Sequence, residues 1–416
     1  MPVITLFSGS YCHGEEVAQK IANDMKGIRV IDDRALIAQA AERFKIDAGK
    51  LSKAMTAKPS VFNRFTHEKE RSLACLKVVF AETLKQDNTL LLGFAGHMAP
   101  REITHILKVC AIADINHRAG VAAKAKGISE KEATRLIHKD DESRVLWVEY
   151  LFKERDPWAA SLYDLVIPMH KTSVDDAAAI VCTNACKEVL KMTEKSIKAV
   201  DDFLLAAQVN LKLAEDGHDV SVLAKDGIVT IVINKNVMML SSLEEELKRI
   251  AGDVPGVHDV QTKVGAGFYQ TDIYRRYDFD LPLPSKVLLV DDEREFVQTL
   301  SERLQMRDLG SAVAYNGEEA LSVVEEDEPE VMVLDLKMPG IDGVEVLRRV
   351  KTEHPNVEVI VLTGHGSQEV ETLCTELGAC AYLEKPVDID ALTQKMKEAY
   401  DRVKQRKEQG SGGENK

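Results

Sequence analysis

Short apolar runs alternate with longer stretches of mixed apolar and charged residues over most of this chain. Unbroken runs of Val, Ile and Leu predict strands that are buried on both faces, and the mixed stretches predict the helices that cover such a sheet. In the first half of the chain the predicted strands are 3–7, 28–34, 89–93, 109–112 and 163–167. This alternation of strands with helices predicts a parallel α/β sheet.

The middle of the chain has a different pattern, which predicts a small α+β region. Its predicted elements are a helix at 196–213, strands at 220–224 and 228–233, a helix at 241–251 and a strand at 255–264. The first two strands are joined through Asp226 and Gly227, a composition that predicts a β-hairpin. Ser242 and Glu245 have the spacing of a capping box at the start of the second helix.

At 416 residues the chain is too long for one ordinary core, and its length suggests about three domains. We predict a multidomain α/β protein. Its predicted segments are a first domain at 1–192, a second at 196–268, a linker at 269–284, a third domain at 285–405 and a disordered tail at 406–416. The tail is predicted from its polar, glycine-containing composition.

Composition restricts the class of protein. Apolar residues make up 45% of the chain, which indicates folded domains, and the net charge of -14 argues against a nucleic-acid surface, since such a surface requires clustered Lys and Arg. Residues 1–7 lack the basic start of a signal peptide, and no apolar run reaches the ~20 residues that span a bilayer. We therefore expect a cytoplasmic protein that neither binds nucleic acid nor inserts into a membrane.

The seven cysteines are scattered along the chain. Cys182 and Cys186 are spaced to place two metal ligands on one helix face, but no second pair with zinc-type spacing accompanies them. Buried free thiols are the simpler interpretation.

Polar residues follow four apolar strands in the last part of the chain. The residues at these strand ends are Asp291 and Asp292, then Asp335, then Thr363, and finally Lys385. The carboxyl ends of parallel strands meet at one edge of an open α/β sheet, where such folds build their sites. We therefore expect these side chains to lie close together.

These side chains fit one chemistry. Carboxylates brought together repel one another unless a hard cation lies between them, so Asp291, Asp292 and Asp335 are candidate Mg²⁺ ligands. A carboxylate can also attack phosphorus and form an aspartyl phosphate. Thr363 would offer a hydroxyl to that group and Lys385 an ammonium.

Residues 284–405 resemble the receiver domain of two-component response regulators, a doubly wound fold with a five-stranded parallel sheet. The roles that the resemblance implies are phosphoacceptor for Asp335, metal ligand for Asp291 and Asp292, switch residue for Thr363 and Tyr382, and the lysine of the family for Lys385. The family also has a cis peptide bond at the position of Lys385–Pro386. Each motif alone is compatible with an ordinary helix cap or turn, and only their combination favours the receiver.

The first predicted strand leads into a glycine-containing loop. Gly9 and Gly14 have the spacing of a phosphate-binding loop between a strand and a helix. A working loop of this kind continues with Lys and then Ser or Thr, whereas this chain has Glu15 and Glu16. Two carboxylates there would repel a triphosphate, which argues against phosphoryl transfer.

Residues 1–192 resemble the cytidylate-kinase-like family in their opening strand and loop, an arginine series and the strand at 163–167. The arginines of the series are Arg118, Arg135 and Arg144. The resemblance implies a P-loop-kinase fold in which these arginines bind phosphate, with ATP or CMP as the nucleotide. The alternative is that they are solvated helix residues paired with Glu132 and Asp140.

The middle region, 196–268, resembles a BON-type domain in its element order and in the run that begins at Pro255-Gly256-Val257. That family is associated with envelope and phospholipid contacts, but this segment is not basic or amphipathic enough to predict a membrane surface. We expect an interaction or spacer module. His218 and His258 are expected to be exposed residues without a metal.

Together these features favour a two-component response regulator. A sensor histidine kinase or a phosphotransfer protein would pass a phosphoryl group to Asp335, and the altered receiver would act on the upstream domains or on an unknown output partner. Two alternatives stay open, namely a nucleoside-monophosphate kinase that the receiver gates and a non-catalytic nucleotide sensor. A homodimer is compatible with each, and the sequence does not decide whether the first domain is an enzyme.

Overall fold

The structure, a computed structural model, describes residues 3–86, 88–237, 239–268, 283–307, 309–364 and 367–411. The chain divides into two compact units. The first unit consists of Met1–Lys58 and Glu68–Arg276, and the second consists of Pro59–His67 and Tyr277–Lys416. Within the described ranges, no helix is both long enough and apolar enough to span a lipid bilayer.

The first unit contains a five-stranded parallel sheet. Its strands are β1 (Val3–Ser8), β2 (Arg29–Asp32), β3 (Thr89–Leu92), β4 (Ile106–Ile112) and β5 (Leu165–Pro168). Their order across the sheet is β2-β3-β1-β4-β5. The predicted strands are confirmed, but the chain leaves the sheet earlier than expected after β2. There the Asp32 side chain accepts a hydrogen bond from the amide of Ala35 and caps the next helix.

Helices cover both faces of this sheet. The helices in the first part of the chain are α1 (Gly14–Asp24), α2 (Asp33–Phe44), α3 (Ala48–Thr56), α4 (Asn63–Thr66), α5 (Glu68–Leu84), α6 (Ile115–Lys126), α7 (Glu130–Phe152) and α8 (Val174–Ala185). One apolar core includes Phe80 and Trp147, and a second includes Val17 and Val181. Helix α4 belongs to the second unit.

The middle region has the predicted order of elements. They are α9 (Glu194–Glu215), β6 (Ser221–Lys225), β7 (Ile228–Ile233), α10 (Leu240–Gly252) and β8 (Asp259–Val264). Strands β6 and β7 pair antiparallel, while β7 and β8 pair parallel. The predicted hairpin is therefore confirmed.

Helix α9 contributes to two apolar cores. Val200 and Leu211 lie in the core that includes Phe80 of α5. Val209 and Leu213 pack in the core beneath the three-stranded sheet. The predicted boundary between residues 192 and 196 therefore lies just before a helix that the two cores share.

Several local predictions are wrong. Helix α10 begins at Leu240, so Ser242 lies inside the helix and no side chain caps its start. His218 is buried rather than exposed, while His258 is exposed as predicted. All seven cysteines are free thiols, as predicted, but only four of them are buried, since Cys182 and Cys380 are partly buried and Cys186 is exposed.

The second unit contains another five-stranded parallel sheet. Its strands are β9 (Val287–Val290), β10 (Ser311–Ala314), β11 (Val331–Leu334), β12 (Glu358–Thr363) and β13 (Ala381–Glu384), in the order β10-β9-β11-β12-β13. Its further helices are α11 (Arg294–Gln305), α12 (Gly317–Glu326), α13 (Gly343–Glu353), α14 (Gln368–Glu376) and α15 (Ile389–Ser411). The doubly wound, five-stranded parallel fold predicted for this part of the chain is confirmed.

The strand order places the candidate site. Strand β9 lies between β10 and β11, so the chain crosses to opposite sides of β9 and a crevice opens at the carboxyl ends of β9 and β11. One predicted boundary differs from the structure, and another is not tested by it. Helix α15 continues to Ser411, into the segment predicted as a tail, and most of the predicted linker, 269–282, lies outside the described residues.

Candidate functional site: an acidic pocket at the strand ends of the second unit

Two buried strands deliver acidic side chains to the crevice. Every residue of β9 and β11 is buried, and each strand is followed at once by an aspartate, Asp291 and Asp335, with exposed fractions of only 4% and 5%. The amide of Asp335 donates to the carbonyl of Val290 at 2.9 Å, which ties the two strand ends together. Asp292 is exposed beside them.

These three aspartates form a group that is able to hold a cation. Ligand oxygens of Asp291, Asp292 and Asp335 all lie within 4.8 Å of one another. The Oδ1 atom of Asp335 is buried and accepts no hydrogen bond from the residues that the structure describes. Oxygen ligands of this kind and an unpaired buried carboxylate oxygen fit a hard divalent ion such as Mg²⁺.

Lys385 places a positive charge beside the three aspartates, and we call these four residues the acidic pocket. The lysine follows β13, and its amide donates to the carbonyl of Thr363 at 2.9 Å. Its Nζ lies 2.6 Å from Asp291 Oδ2, 3.1 Å from Glu293 Oε1 and 3.9 Å from Asp335 Oδ2. The Lys385–Pro386 peptide bond is cis, as the resemblance implied. The lysine thus pairs mainly with Asp291.

Burial shifts the protonation of the two inner carboxyls. Desolvation raises the pKa of Asp335, while the Lys385 ammonium partly offsets this and the Asp291 carboxylate adds to it. Desolvation likewise raises the pKa of Asp291, against a lowering contribution from Lys385. A divalent ion would relieve this repulsion between close carboxylates.

The two predicted switch residues lie on the neighbouring strands. Thr363 is the last residue of β12 and is fully buried. Tyr382 of β13 is partly buried against the apolar cluster that covers one face of the sheet, and its hydroxyl makes no hydrogen bond with the described residues. The pocket therefore brings together all of the residues predicted at the four strand ends.

Two contacts of the lysine were not predicted from the sequence. Glu293 shares Lys385 with Asp291, and Phe296 places its ring 4.5 Å from the Lys385 Nζ. Glu293 directly follows the acidic pair, but adjacency alone gave no sign that it would contact a residue of another strand. Phe296 lies on α11 and is identified only by the packing.

A second group of predicted residues meets at the loop between β1 and α1. Arg118 donates through Nε to the carbonyl of Ser10 at 2.9 Å, and Arg144 donates through Nε to the carbonyl of Ser8 at 3.0 Å. Gly9 lies against the Arg118 guanidinium, which a Cβ there would approach to 3.2 Å. The arginines thus satisfy carbonyl oxygens of the loop.

An aspartate that the sequence reasoning did not assign completes this group. Arg118 donates two hydrogen bonds of 2.8 Å to the Asp141 carboxylate, and the Arg118 side chain is only 4% exposed. Arg144 lies 3.5 Å from the same aspartate. The alternative of solvated arginines paired with Glu132 and Asp140 is therefore wrong for Arg118 and Arg144, although Arg144 also donates to the Asp140 backbone carbonyl.

The remaining candidates lie apart from this pairing. Arg135 is exposed on α7, and no described contact brings it to the loop. Gly14 is the first residue of α1, followed by the exposed Glu15 and Glu16. The first turn of the helix therefore presents two carboxylates where an anion would approach.

Comparisons with known proteins fall in two parts of the chain. Residues 287–397 match the family model described as the response regulator receiver domain, and residues 3–171 match that of the cytidylate kinase-like family. The chain is 36% identical over 112 residues to sporulation initiation phosphotransferase F of Bacillus subtilis, which covers 27% of this chain and 90% of that protein.

Further relatives match the same region. Transcriptional regulatory protein CpxR of Klebsiella pneumoniae is 40% identical over 102 residues, which covers 24% of this chain and 43% of the relative. The crystal structure of a response regulator receiver domain protein from Clostridium thermocellum is 33% identical, with 29% of this chain and 96% of that chain covered and a TM-score of 0.28. This chain spans only about half or less of the curated regulators MprA of Mycolicibacterium vanbaalenii, CpxR and GlrR, at 50%, 43% and 27% of their lengths.

The matched region 287–397 contains the whole acidic pocket, from Asp291 to Lys385. The similarity to the Bacillus subtilis phosphotransferase extends over nearly all of that protein. Through this region, the chain belongs to the response regulator receiver family.

Proposed function

We propose that this protein is a two-component signalling protein whose Asp335 accepts a phosphoryl group from a sensor histidine kinase or a phosphotransfer protein. The observation that supports this most directly is the position of the Asp335 carboxylate. It is buried among two further aspartates and a lysine, and its Oδ1 has no hydrogen-bond partner among the described residues. Such an oxygen is available for nucleophilic attack.

The transfer step conserves atoms and electrons. A carboxylate oxygen of Asp335 attacks the phosphorus of a phosphohistidine, an O–P bond forms and the P–N bond breaks. The electron pair leaves on the imidazole nitrogen, which takes up a proton. Asp291, Asp292 and Asp335 would hold Mg²⁺, and when bound there the ion neutralises the charge on the phosphoryl oxygens.

Lys385 has a role that follows from its contacts. It now pairs with Asp291 at 2.6 Å and lies farther from Asp335, at 3.9 Å. When Asp291 ligates a cation, its charge is no longer available to the lysine. The ammonium is then free to pair with a phosphoryl oxygen on Asp335.

Thr363 and Tyr382 would transmit the change. The new dianion attracts the Thr363 hydroxyl, and the space that this leaves is open to the Tyr382 ring. The output is proposed to act through the upstream unit or a protein partner rather than through DNA, since the net charge of -14 disfavours a phosphate backbone.

The assignment is tested by labelling the full chain with acetyl phosphate or phosphoramidate in Mg²⁺. We expect labelling of wild type and of Asp401→Asn, an exposed carboxylate on α15 that serves as the matched control. Asp335→Asn should abolish the label, and chelation of Mg²⁺ should prevent it. Equal labelling of Asp335→Asn and wild type would contradict the assignment.

For the kinase-like part of the chain we propose a non-catalytic role. Glu15 and Glu16 stand where a phosphate-binding loop carries Lys and Ser or Thr, and Arg118 is already neutralised by Asp141. A nucleotide phosphate would have to displace that carboxylate before it could pair with the guanidinium.

This second assignment is tested by titrating Mg²⁺-ATP and CMP into the full chain by calorimetry, followed by a phosphoryl-transfer assay on the same sample. Neither nucleotide is expected to be converted. Turnover that survives Asp335→Asn would instead identify a kinase, and binding without turnover would identify a nucleotide sensor.

A further inference from the structure

One short segment of the kinase-like region belongs to the second unit. Residues 59–67 lie in the chain between α3 and α5, inside the part that matches the cytidylate kinase-like family. They nevertheless belong to the same compact unit as the receiver residues. We call residues 59–67 the docking segment. The region that matches the receiver family, 287–397, does not include it.

The docking segment is a turn held by backbone hydrogen bonds between its own residues. The amide of Phe65 donates to the carbonyl of Phe62 at 2.8 Å, and the amide of His67 donates to the carbonyl of Asn63 at 2.9 Å. These bonds form the short helix α4, with Phe62 at its start. The turn thus holds Phe62, Arg64 and Phe65 in fixed positions relative to one another.

Phe62 is the anchor of this contact. Its exposed fraction is 0%, and it lies in the apolar cluster that contains Ala312 and Ala314 of β10 and Val324 of α12. A fully buried phenyl ring contributes several times the free energy of a surface contact. The neighbouring Val61, by contrast, is 44% exposed.

Two more contacts lie at the start of β10. Arg64 donates to the carbonyl of Ser311 at 3.1 Å. The ring of Phe65 lies on Gly310, where a Cβ would be only 2.3 Å from the Phe65 Cδ1. Because β10 is an edge strand of the sheet, its outer side would otherwise offer unpaired backbone groups to solvent. The docking segment covers part of that edge.

The same strand reaches the acidic pocket. Strand β10 begins at Ser311, beside the docking segment, and ends at Ala314, whose carbonyl accepts a hydrogen bond of 3.1 Å from the amide of Asp291. The Arg64 contact and the hydrogen bond to Asp291, a candidate metal ligand, therefore lie at the two ends of one four-residue strand. We expect a shift at one end of β10 to displace the other end, since a short packed strand moves as a unit.

We propose that the docking segment is the contact through which the receiver controls the kinase-like part of the chain, with Phe62 as its anchor and β10 as the connection to Asp291. The docking itself rests on packing alone, and its coupling to the pocket rests on the function proposed above. The partner of this receiver surface is then a segment of the same chain.

Docking is tested by hydrogen–deuterium exchange on the full chain. We expect slow exchange of the amides in 59–67 and 309–314. Phe62→Ala should accelerate exchange in both segments by at least about tenfold, since loss of a buried ring raises the equilibrium constant for local opening by at least that factor. Arg64→Ala, at an exposed position that preserves folding, should accelerate them less, and Val61→Ala is the control. Fast exchange in wild type, or equal rates in all variants, would overturn the docking.

Coupling is tested by titrating beryllofluoride with Mg²⁺ into the same variants. Because linkage is reciprocal, the affinity for beryllofluoride should change at least about threefold in Phe62→Ala but not in Val61→Ala. Equal affinities in wild type, Phe62→Ala and Val61→Ala would overturn the coupling. Absence of beryllofluoride binding to wild type would instead overturn the function proposed for Asp335, so the two failures are distinguishable.

Discussion

Lys385 competes with any cation for the same carboxylates. Its ammonium lies 2.6 Å from Asp291 and also contacts Glu293, and these hydrogen bonds raise its pKa despite the opposing effect of burial. The lysine is therefore charged throughout the physiological range. A metal ion that binds Asp291 must displace this internal cation.

We predict that Lys385→Gln raises the affinity for Mg²⁺ by about tenfold, because removal of a competing charge leaves the carboxylates less compensated. Calorimetric titration at pH 7 measures the change. Lys397→Gln, which changes the same charge on α15, should leave the affinity unaltered. An unchanged or weaker affinity in Lys385→Gln would show that the lysine does not compete with the ion.

Asp33 is a partly buried carboxyl in the first unit whose protonation contributes to stability. It accepts hydrogen bonds from the amides of Phe94 and Ala95 at 2.7 and 3.0 Å. Desolvation nevertheless raises its pKa from 3.8 to about 6, against the lowering effect of those two amides. The folded state thus binds a proton more tightly than the unfolded state does.

The free energy of unfolding should therefore fall as the pH rises from about 4 to about 6, by roughly 2 kcal/mol from this group. Other groups titrate in the same range, so the informative quantity is the difference between wild type and Asp33→Asn at each pH. We expect that difference to decrease across this window in urea titrations. Asp47→Asn makes the same chemical change at an exposed position and is the control. A difference independent of pH would refute the raised pKa.

Among the elements, α13 packs unusually close to the end of β11. Gly343 is its first residue, and Asp342 caps it by accepting a hydrogen bond from the amide of Val344 at 2.9 Å. A Cβ on Gly343 would lie 2.3 Å from the carbonyl oxygen of Asp335 and 2.6 Å from the Cα of Leu336. The glycine is required here by the close approach of two backbones.

Gly343→Ala should lower the free energy of unfolding by about 2 kcal/mol or more, because backbone atoms cannot yield as a flexible side chain can. Urea titration measures the loss. At Gly364 the nearest atom to an added Cβ is the Lys385 Cδ at 3.9 Å, so Gly364→Ala should be tolerated and serves as the control. Equal midpoints for the two variants would argue against the close packing.

The strands of the pocket could be predicted because fully buried parallel strands give unbroken apolar runs that end visibly in Asp291, Asp335 and Thr363. The Arg118–Asp141 pair could not, since its members lie on separate helices and only tertiary packing brings them together. The predicted capping box failed because α10 starts at Leu240, where no local spacing distinguishes this start from one nearer Ser242.

At the scale of the whole molecule, the first unit has no clean division at the predicted boundary. Helix α9 packs on α5, where the ring centroids of Phe203 and Phe80 lie 6.2 Å apart. Val200 and Leu211 of α9 are buried. A chain cut before α9 would expose that face of α5. Burial of side chains such as these contributes roughly 2 kcal/mol each.

A protein of residues 1–192 should therefore aggregate or expose apolar surface, while one of residues 1–268 should unfold cooperatively. Dye binding and thermal unfolding measure the difference. Both proteins lack the receiver, so the comparison isolates the middle region. If 1–192 were as stable as 1–268, the shared core would not contribute to stability.

The second unit is built from two stretches of chain that are far apart in sequence, Pro59–His67 and Tyr277–Lys416. During synthesis the docking segment leaves the ribosome long before β10 exists. Phe62 must then stay unpaired while most of the protein is translated, a period in which an exposed aromatic ring favours aggregation. Completion of the receiver core is thus a late, non-local event. The docking segment cannot pack until the carboxyl-terminal part of the chain has been translated.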